Sequence, residues 1–301
     1  MAKDSIFDSV EAVGNALAQQ NYIADLGLST SLFLALKMGK ALFLEGEPGV
    51  GKTEVAKVLS RLLQTPLIRL QCYEGLDINH AVYEWNYPRQ LLEIQAMQRQ
   101  ADNHHTPTDD IFTEKFLLKR PLLQAIDSSH ERAPVLLIDE LDRADEEFES
   151  FLLELLSDFQ ITIPEIGTIQ AEYTPLIVIT SNRTREIHDA LKRRCIYFWI
   201  DYPSRQKEIE IVRLKVPGIA ERLAQQVVNF VQAIRQQELY KLPGVAETLD
   251  WAEALGHLNQ TELDPATVEA TLGIILKYQD DIDKVRGDMA SELVAQAVRE
   301  T

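Results

Sequence analysis

The sequence predicts an α/β protein with a parallel sheet, followed by a smaller all-helical domain. Short apolar runs without alternation recur through the first 203 residues, and stretches of helical periodicity separate them. Such runs are typical of parallel strands that are covered on both faces, and their alternation with helices favours a parallel α/β sheet. From residue 204 onward the strand signals vanish and only helical spacing remains. We therefore expect two domains, 1–203 and 204–301.

The first elements follow from the spacing of apolar residues and from the residues that end helices. Residues 1–39 carry apolar side chains mostly at helical spacing, and the apolar run 41–45 predicts a short buried strand. A second helical pattern begins near residue 55 and stops at Pro66, because proline interrupts helical hydrogen bonding. The run 67–70 then predicts a second strand.

The later elements follow the same pattern after a less regular stretch, 71–131, which we interpret as an insertion with a helix near 90–100. Its polar tip contains His104 and His105. Adjacent histidines rarely point at one ion and no second cluster supports them, so a solvated loop is favoured over a metal site. Further predicted elements are strands at 135–138, 176–180 and 196–200 and a hairpin at about 161–173.

Composition limits the classes of function. The formal net charge is −17, with 47 acidic against 30 basic side chains, and this disfavours general nucleic-acid binding, although a locally basic pore would escape that average. The two cysteines form no CxxC pair, so we expect free thiols in a reducing compartment. The N-terminus has no long apolar segment, and the apolar run near 32–44 is broken by two lysines and is too short to span a bilayer. The sequence predicts a cytoplasmic protein.

A glycine-rich stretch lies between the strand 41–45 and the helix that follows it. Its spacing, Gly, four residues, then Gly-Lys-Thr, suits a loop whose backbone N–H groups and following helix N-terminus bind phosphate. We expect Lys52 to reach the β- and γ-phosphates of a nucleotide and Thr53 to offer its hydroxyl to Mg²⁺. The predicted nucleotide-binding loop comprises Gly46, Glu47, Pro48, Gly49, Val50, Gly51, Lys52, Thr53 and Glu54.

Two later strands end in polar residues that complete such a site. Asp139 and Glu140 directly follow the apolar run VLLI. An aspartate there can hold the water shell of a metal, and a neighbouring glutamate can act as general base for an attacking water. The strand LIVIT leads into Ser181 and Asn182. Asn182 would position the water or the γ-phosphate, or it would only form a strand-end turn, and spacing does not choose between these roles.

Together these residues resemble an AAA+ ATPase. GEPGVGKT resembles its Walker A motif, LLIDE its Walker B motif, TSN its sensor-1 strand end, and the helical C-terminal portion its lid. More narrowly, DELDRADEEFESFLLELLSDFQITIPE and DYPSRQKEIEIV resemble the MoxR branch. Within that branch, QCYEGLDINHAVYEWNYPRQLLEIQ and LPGVAETLDWAEAL resemble CoxD-like proteins. The resemblance covers nearly the whole chain and implies a P-loop NTPase core with a helical lid.

The resemblance implies a ring, usually a hexamer, in which an arginine from the neighbouring subunit completes each ATP site. This arginine is called the arginine finger. The stretch DALKRRCIYF matches the region that carries it, with Arg194 aligning best and Arg193 next. Without the resemblance, both would be interpreted as cations favoured at a helix end. Many AAA+ lids carry a sensor-2 arginine, but the matching helix start here contains Ala246, Glu247 and Thr248, so no sensor-2 residue is assigned.

The implied function is an ATP-hydrolysing molecular chaperone of the MoxR type that uses ATP and Mg²⁺. The resemblance also implies a partner with a von Willebrand A domain and a metalloenzyme client, such as a molybdenum hydroxylase or a carbon monoxide dehydrogenase-like enzyme. It places Tyr22 and Ile23 against adenine, where they could equally be core. Two alternatives are a nucleotide-regulated scaffold with little turnover, which Glu140 disfavours, and a nucleic-acid motor, which the acidic balance disfavours.

Overall fold

The computed structural model describes residues 8–100, 111–129 and 131–301, so the predicted polar tip with His104 and His105 lies outside the described residues. Packing divides the chain into two compact units. The core unit comprises the described residues up to Ala16, Leu26–Glu45 and Thr53–Trp199, and the lid unit comprises Leu17–Asp25, Gly46–Lys52 and Ile200–Thr301. The predicted domain division, 1–203 and 204–301, stays a prediction.

The described helices and strands follow the predicted order. The helices are α1 (Val10–Gln19), α2 (Leu26–Met38), α3 (Lys52–Leu63), α4 (Ile78–Ala81), α5 (Tyr87–Gln100), α6 (Pro121–Ala125), α7 (Glu146–Asp158), α8 (Asp189–Lys192), α9 (Arg205–Lys215), α10 (Glu221–Ile234), α11 (Val245–His257), α12 (Pro265–Ile275), α13 (Gln279–Val285) and α14 (Asp288–Arg299). The strands are β1 (Ala41–Gly46), β2 (Leu67–Gln71), β3 (Tyr83–Trp85), β4 (Leu117–Lys119), β5 (Val135–Asp139), β6 (Gln160–Ile163), β7 (Gly167–Gln170), β8 (Leu176–Ser181) and β9 (Cys195–Ile200).

A five-stranded sheet has the order β2-β5-β8-β1-β9, which confirms the predicted α/β fold class. The pairs β2/β5, β5/β8 and β1/β8 are parallel. Every residue of β1 and of β5 is buried, because helices cover both faces of such a sheet. The register places Gln71 opposite Asp139 and Ile138 opposite Ile179, so the polar ends of these strands lie at one edge of the sheet.

The insertion and the hairpin are built from short antiparallel pairs. β3 pairs with β4 within the insertion, and the helix expected near 90–100 is α5. β6 pairs with β7, which confirms the predicted hairpin. Between β5 and β6, α7 is capped at its N-terminus by Asp145, whose carboxylate accepts a hydrogen bond from the backbone N–H of Phe148. This N-cap satisfies one of the free N–H groups at the helix start.

From Arg205 to the C-terminus all regular elements are helices, as predicted. Their apolar faces enclose a second core around Phe230 and Trp251, whose ring centroids lie 5.1 Å apart. A buried ion pair crosses this core: Arg235 contacts Glu208 with two hydrogen bonds of 2.7 and 2.8 Å. Within the described ranges, no helix is long and apolar enough to cross a membrane.

Candidate nucleotide-binding site

The glycine-rich loop lies between β1 and α3, as the motif requires. Gly49 and Gly51 adopt φ angles of +79° and +94°, a region that side chains with a Cβ rarely enter, so glycine is needed at both positions. Lys52 is buried, and its Nζ donates hydrogen bonds of 2.7 Å to the carbonyl oxygens of Gly46 and Glu47. The ammonium group is therefore held over the loop itself, at the start of α3.

The start of α11 contacts this loop within the lid unit. The backbone N–H of Ala246 donates to the carbonyl of Gly49 over 3.1 Å. A Cβ added to Gly244 would lie only 2.6 Å from the carbonyl oxygen of Pro48 and 3.0 Å from the Cα of Gly49. The two backbones can approach this closely only because residue 244 is glycine. The helix start at which no sensor-2 residue is assigned is thus in backbone contact with the loop.

Tyr22 also lies beside the loop. Its Cε2 atom is 4.0 Å from the place where a Cβ on Gly51 would stand, and both Tyr22 and Ile23 are half-buried. The aromatic ring is therefore close to the backbone that the motif assigns to phosphate binding. Its predicted role in packing on adenine stays a prediction.

Asp139, at the end of β5, is the centre of a hydrogen-bonded cluster in the core unit. It is 2% exposed, and four side-chain donors contact its carboxylate. Oδ1 accepts from the hydroxyls of Thr53 (3.0 Å) and Thr180 (2.6 Å), whereas Oδ2 accepts from Nε (3.0 Å) and Nη2 (2.5 Å) of Arg69. A buried carboxylate is tolerated when it is compensated in this way. The predicted metal residues Thr53 and Asp139 are thus in direct contact.

Glu140 directly follows the strand in a left-handed backbone conformation, with φ 55° and ψ 51°. Its N–H donates to the Thr180 hydroxyl over 2.9 Å, which fixes the turn. Its carboxylate is about one third exposed and lies 3.2 Å from the Arg143 guanidinium. Few non-glycine residues adopt this conformation, and such residues are found more often at functional sites. The carboxylate is held by its own chain and can be reached by water.

Asn182 is positioned through its backbone by Asp142. The buried Asp142 carboxylate accepts from the N–H of Asn182 (3.1 Å) and from both the N–H (2.9 Å) and the hydroxyl (2.7 Å) of Thr184. The two turns after β5 and β8 are therefore joined at the carboxyl edge of the sheet. This arrangement holds Asn182 in place, and its predicted contact with water or phosphate stays a prediction.

Burial and the acidic residues of this edge raise the pKa of a neighbouring thiol. The pKa of Cys72 rises to about 12, first because the thiol is buried and then because Asp139, Asp142 and Glu140 place negative charge near it. Among the described residues there is no group of three or more His, Cys, Asp or Glu side chains arranged as a metal-binding cluster.

The two finger candidates have different surroundings. Arg194 is partly buried and bound to its own chain, since its Nε donates to the Ser157 hydroxyl (2.6 Å) and its Nη1 to the carbonyl of Ala190 (2.8 Å). Arg193 is the C-terminal cap residue of α8 and is exposed. The structure describes a single chain, so the action of either arginine on a neighbour stays a prediction.

The comparison with protein families agrees with this geometry. The sequence profile of the AAA domain, dynein-related subfamily, matches residues 41–195, just over half of the chain. The chain belongs to the dynein-related AAA family. The match begins at β1 and ends at the first residue of β9, so it includes the glycine-rich loop, Asp139 and Asn182. Membership of this AAA family implies nucleotide binding and hydrolysis.

Individual relatives are distant. The denitrification regulatory protein NirQ of Pseudomonas aeruginosa is 24% identical over 263 residues, which cover 80% of this chain and 90% of NirQ. An uncharacterised protein of Staphylococcus epidermidis is 24% identical over 206 residues, covering 66% of this chain and 70% of its own. A RuvB variant of Thermotoga maritima superposes with a TM-score of 0.47 at 18% identity, covering 86% of this chain and 68% of RuvB. The similarity to NirQ is a weak link to MoxR-like AAA proteins, and the CoxD-like resemblance is not confirmed.

Three parts of the site were not predicted from sequence. Arg69 interrupts the otherwise apolar run LIRL, and a charged residue in a strand beside Asp139 was the available signal. Asp142 carried a weaker signal, as a further acid after the strand end. Gly244 precedes α11 with φ −82°, a backbone angle that any residue can adopt. Only its close approach to Pro48 explains why residue 244 has to be glycine.

Proposed function

We propose that the chain is a Mg²⁺-dependent ATPase that uses hydrolysis to remodel or activate a partner protein, as a MoxR-type AAA+ chaperone does. The observation that carries the proposal is the cluster at Asp139. A hydroxyl from the first turn of α3, a carboxylate from β5 and a hydroxyl from β8 converge within 3.0 Å, and an acid that water can reach follows directly.

The loop would bind the triphosphate. The backbone N–H groups of Gly49, Gly51 and the first turn of α3 are the donors that such a loop offers to phosphate oxygens. Lys52 now donates to two carbonyls of the loop and would exchange these for β- and γ-phosphate oxygens. Glu47, Pro48, Val50 and Glu54 complete the predicted loop.

The donor set fits Mg²⁺. This cation prefers oxygen ligands and keeps several waters, and it is held in such sites by one or two protein oxygens plus phosphate. Thr53 would be a direct ligand through its hydroxyl oxygen, while its proton continues to donate to Asp139. Asp139 would accept hydrogen bonds from the metal's water. Bound Mg²⁺ would neutralise charge that develops on the phosphate oxygens.

Glu140 would be the general base and Asn182 the residue that orients the attacking water. The Glu140 carboxylate takes a proton from water while the oxygen attacks the γ-phosphorus and the ADP oxygen leaves. The Arg143 pair is exposed enough to open at small cost, because partly solvated ion pairs contribute about 0–1 kcal/mol. The backbone bond between Asn182 and Asp142 would keep the amide in place.

The proposal is tested by Glu140→Gln, with Glu147→Gln as the matched control. Glu147 is exposed in the first turn of α7, so the control makes the same charge change away from the cluster. We expect Glu140→Gln to bind ATP with unchanged affinity and to lose turnover by at least about a hundredfold, because general-base catalysis contributes this much. Glu147→Gln should retain wild-type turnover. Hydrolysis that survives in Glu140→Gln would show that Glu140 is not the base.

The ring is tested by mixing two inactive variants. We propose that subunits form a ring, with a hexamer expected, and that Arg194 acts on the neighbour's ATP, with exposed Arg193 as the competing candidate. Subunits with Arg194→Ala keep an intact nucleotide-binding loop, and subunits with Lys52→Ala keep Arg194. Mixed rings should therefore recover part of the ATPase activity. Light scattering with ATP establishes that rings form. Recovery that requires Arg193 instead would reassign the finger.

The partner is proposed from the resemblance and from the similarity to NirQ. NirQ is described as a denitrification regulatory protein, and this supports a regulatory role for the chain. A von Willebrand A domain protein and a metalloenzyme client, such as a molybdenum hydroxylase or a carbon monoxide dehydrogenase-like enzyme, remain the proposed partners, and nucleic acid is not expected. Affinity purification with Glu140→Gln in ATP should retain such a client. Stimulation of the ATPase by DNA or RNA would instead favour a nucleic-acid motor.

A further inference from the structure

The geometry around Asp139 assigns a role to Arg69. We propose that Arg69 is a positioning residue that neutralises Asp139 until a nucleotide brings the metal, so that the site without nucleotide does not collect divalent cations. The inference deepens the proposed function and rests on it. It names an order of binding: Mg²⁺ enters with the nucleotide rather than before it.

The first step is that the two carboxylate oxygens of Asp139 are contacted by different kinds of donor. Oδ1 accepts from the hydroxyls of Thr53 and Thr180, and Oδ2 is contacted by two guanidinium nitrogens of Arg69. Hydroxyl donors leave the negative charge of the carboxylate in place, whereas a guanidinium cancels it and fixes the plane of the group. The oxygen that faces the metal ligand Thr53 is therefore oriented by the cation on the other oxygen.

The second step is the electrostatic consequence. A lone Asp139 carboxylate would be the natural first ligand of a divalent cation at this edge. With Arg69 in place the pair has no net charge, and a cation that approaches Oδ1 is also repelled by the guanidinium. The triphosphate of ATP carries several negative charges, so its arrival reverses the balance in favour of Mg²⁺.

The third step is the mobility of the arginine. Asp139 is 3% exposed at its side chain, but Arg69 is 50% exposed and stands on β2, the edge strand of the sheet. Its Nη2 also donates to Gln71, two residues along the same face. A guanidinium with one side in water can leave or loosen its contact without burying an unpaired charge. Arg69 can therefore yield when the metal arrives.

The experiment measures Mn²⁺ binding without nucleotide. Mn²⁺ prefers the same oxygen ligands as Mg²⁺, and its free concentration can be followed by electron paramagnetic resonance. Arg69→Gln keeps a donor for Oδ2 and removes the charge. We expect it to bind Mn²⁺ about tenfold or more tightly than wild type, because a repulsive charge within about 6 Å is removed. Arg69→Lys keeps the positive charge, so its Mn²⁺ affinity should stay within about twofold of wild type. Mn²⁺ binding should depend on this charge rather than on the paired N–H donors of the guanidinium.

Two further variants keep the result specific. Arg120→Gln breaks another arginine–carboxylate pair of the core unit, Arg120 with Glu84 at 2.5 Å, and should leave Mn²⁺ binding unchanged. Adding Asp139→Asn to Arg69→Gln should abolish the gain, which assigns the gain to Asp139. If Arg69→Gln does not fold, Gln71→Glu at an exposed position offers Arg69 a competing carboxylate and should also raise Mn²⁺ affinity, again only with Asp139 present.

An unchanged Mn²⁺ affinity in folded Arg69→Gln, with reduced stability, would overturn the proposal and leave Arg69 as a structural ion pair. Tight Mn²⁺ binding to wild type without nucleotide would overturn it as well. ATP binding to wild type in the presence of Mg²⁺ is measured separately. Failure of that measurement contradicts the proposed function, whereas failure of the Mn²⁺ comparison contradicts only the role of Arg69.

Discussion

Substituting Gly244 tests whether the contact between α11 and the glycine-rich loop supports nucleotide binding. The backbone of Gly244 has φ −82° and ψ −176°, which alanine adopts without strain. The added Cβ, however, would lie 2.6 Å from the carbonyl oxygen of Pro48, 2.9 Å from Oε2 of Glu247 and 3.0 Å from the Cα of Gly49. The neighbouring loop backbone must therefore move if alanine is accommodated.

The magnitude follows from the size of this displacement. An ordinary contact begins near 3.4 Å, so the Pro48 carbonyl must retreat by about 0.8 Å. Overpacking of this kind costs about 1–3 kcal/mol, whereas separation of α11 from the loop costs the Ala246–Gly49 hydrogen bond, about 0.5–1.5 kcal/mol. We expect Gly244→Ala to lower the free energy of unfolding by about 1–3 kcal/mol if the contact persists. If α11 separates from the loop instead, stability falls less and ATP affinity falls.

The assay combines urea unfolding with ATP binding. The control is Gly256→Ala in the same helix, where an added Cβ would meet nothing within 4 Å. That variant should be more stable than wild type by about 0.5–1 kcal/mol, because alanine is favoured over glycine inside a helix, and its ATP affinity should not change. Wild-type stability together with wild-type ATP affinity in Gly244→Ala would refute the reasoning.

Three further predictions concern parts of the chain away from the loop. Arg235→Met should lower the free energy of unfolding by about 3–5 kcal/mol in urea titrations, because it leaves the buried Glu208 carboxylate without its cation. The control Arg222→Met, which breaks the exposed pair with Glu262, should change the free energy of unfolding by less than about 1 kcal/mol. Burial raises the pKa of Cys72 and of Cys195 to about 12, so fewer than about one thiol in a thousand is ionised at pH 8. Alkylation of these thiols should therefore be far slower in the native protein than in the unfolded chain. Equal alkylation rates would contradict the burial of both thiols. Asp264 caps the N-terminus of α12, and the hydrogen bonds that its carboxylate accepts from Thr267 lower the pKa of Asp264. Asp264→Ala should cost about 1 kcal/mol at pH 7, and because the native pKa is depressed, this difference should shrink as the pH falls below about 4.

Most of the fold was predictable because its signals are local. The buried strands are continuous apolar runs, and each ends where a polar residue or a proline appears, as in VLLIDE and LIVITSN. The hairpin was visible from the turn residues between β6 and β7. The insertion was less predictable, because its strands β3 and β4 have three residues each and its pairing partners are more than thirty residues apart. Strands so short leave no periodicity to detect.

The sequence by itself determined that a phosphate-binding loop joins a buried strand to a helix, and that Asp139 and Glu140 end a second buried strand. These features are contiguous along the chain, so residue type and spacing suffice. Only the tertiary structure decided that Arg69 contacts Asp139 from 70 residues away, that Gly244 meets Pro48 and Gly49, and that Arg194 bonds to its own Ser157. Such contacts depend on strand order and on how helices pack, and no local pattern encodes which distant backbone or side chain will be brought near.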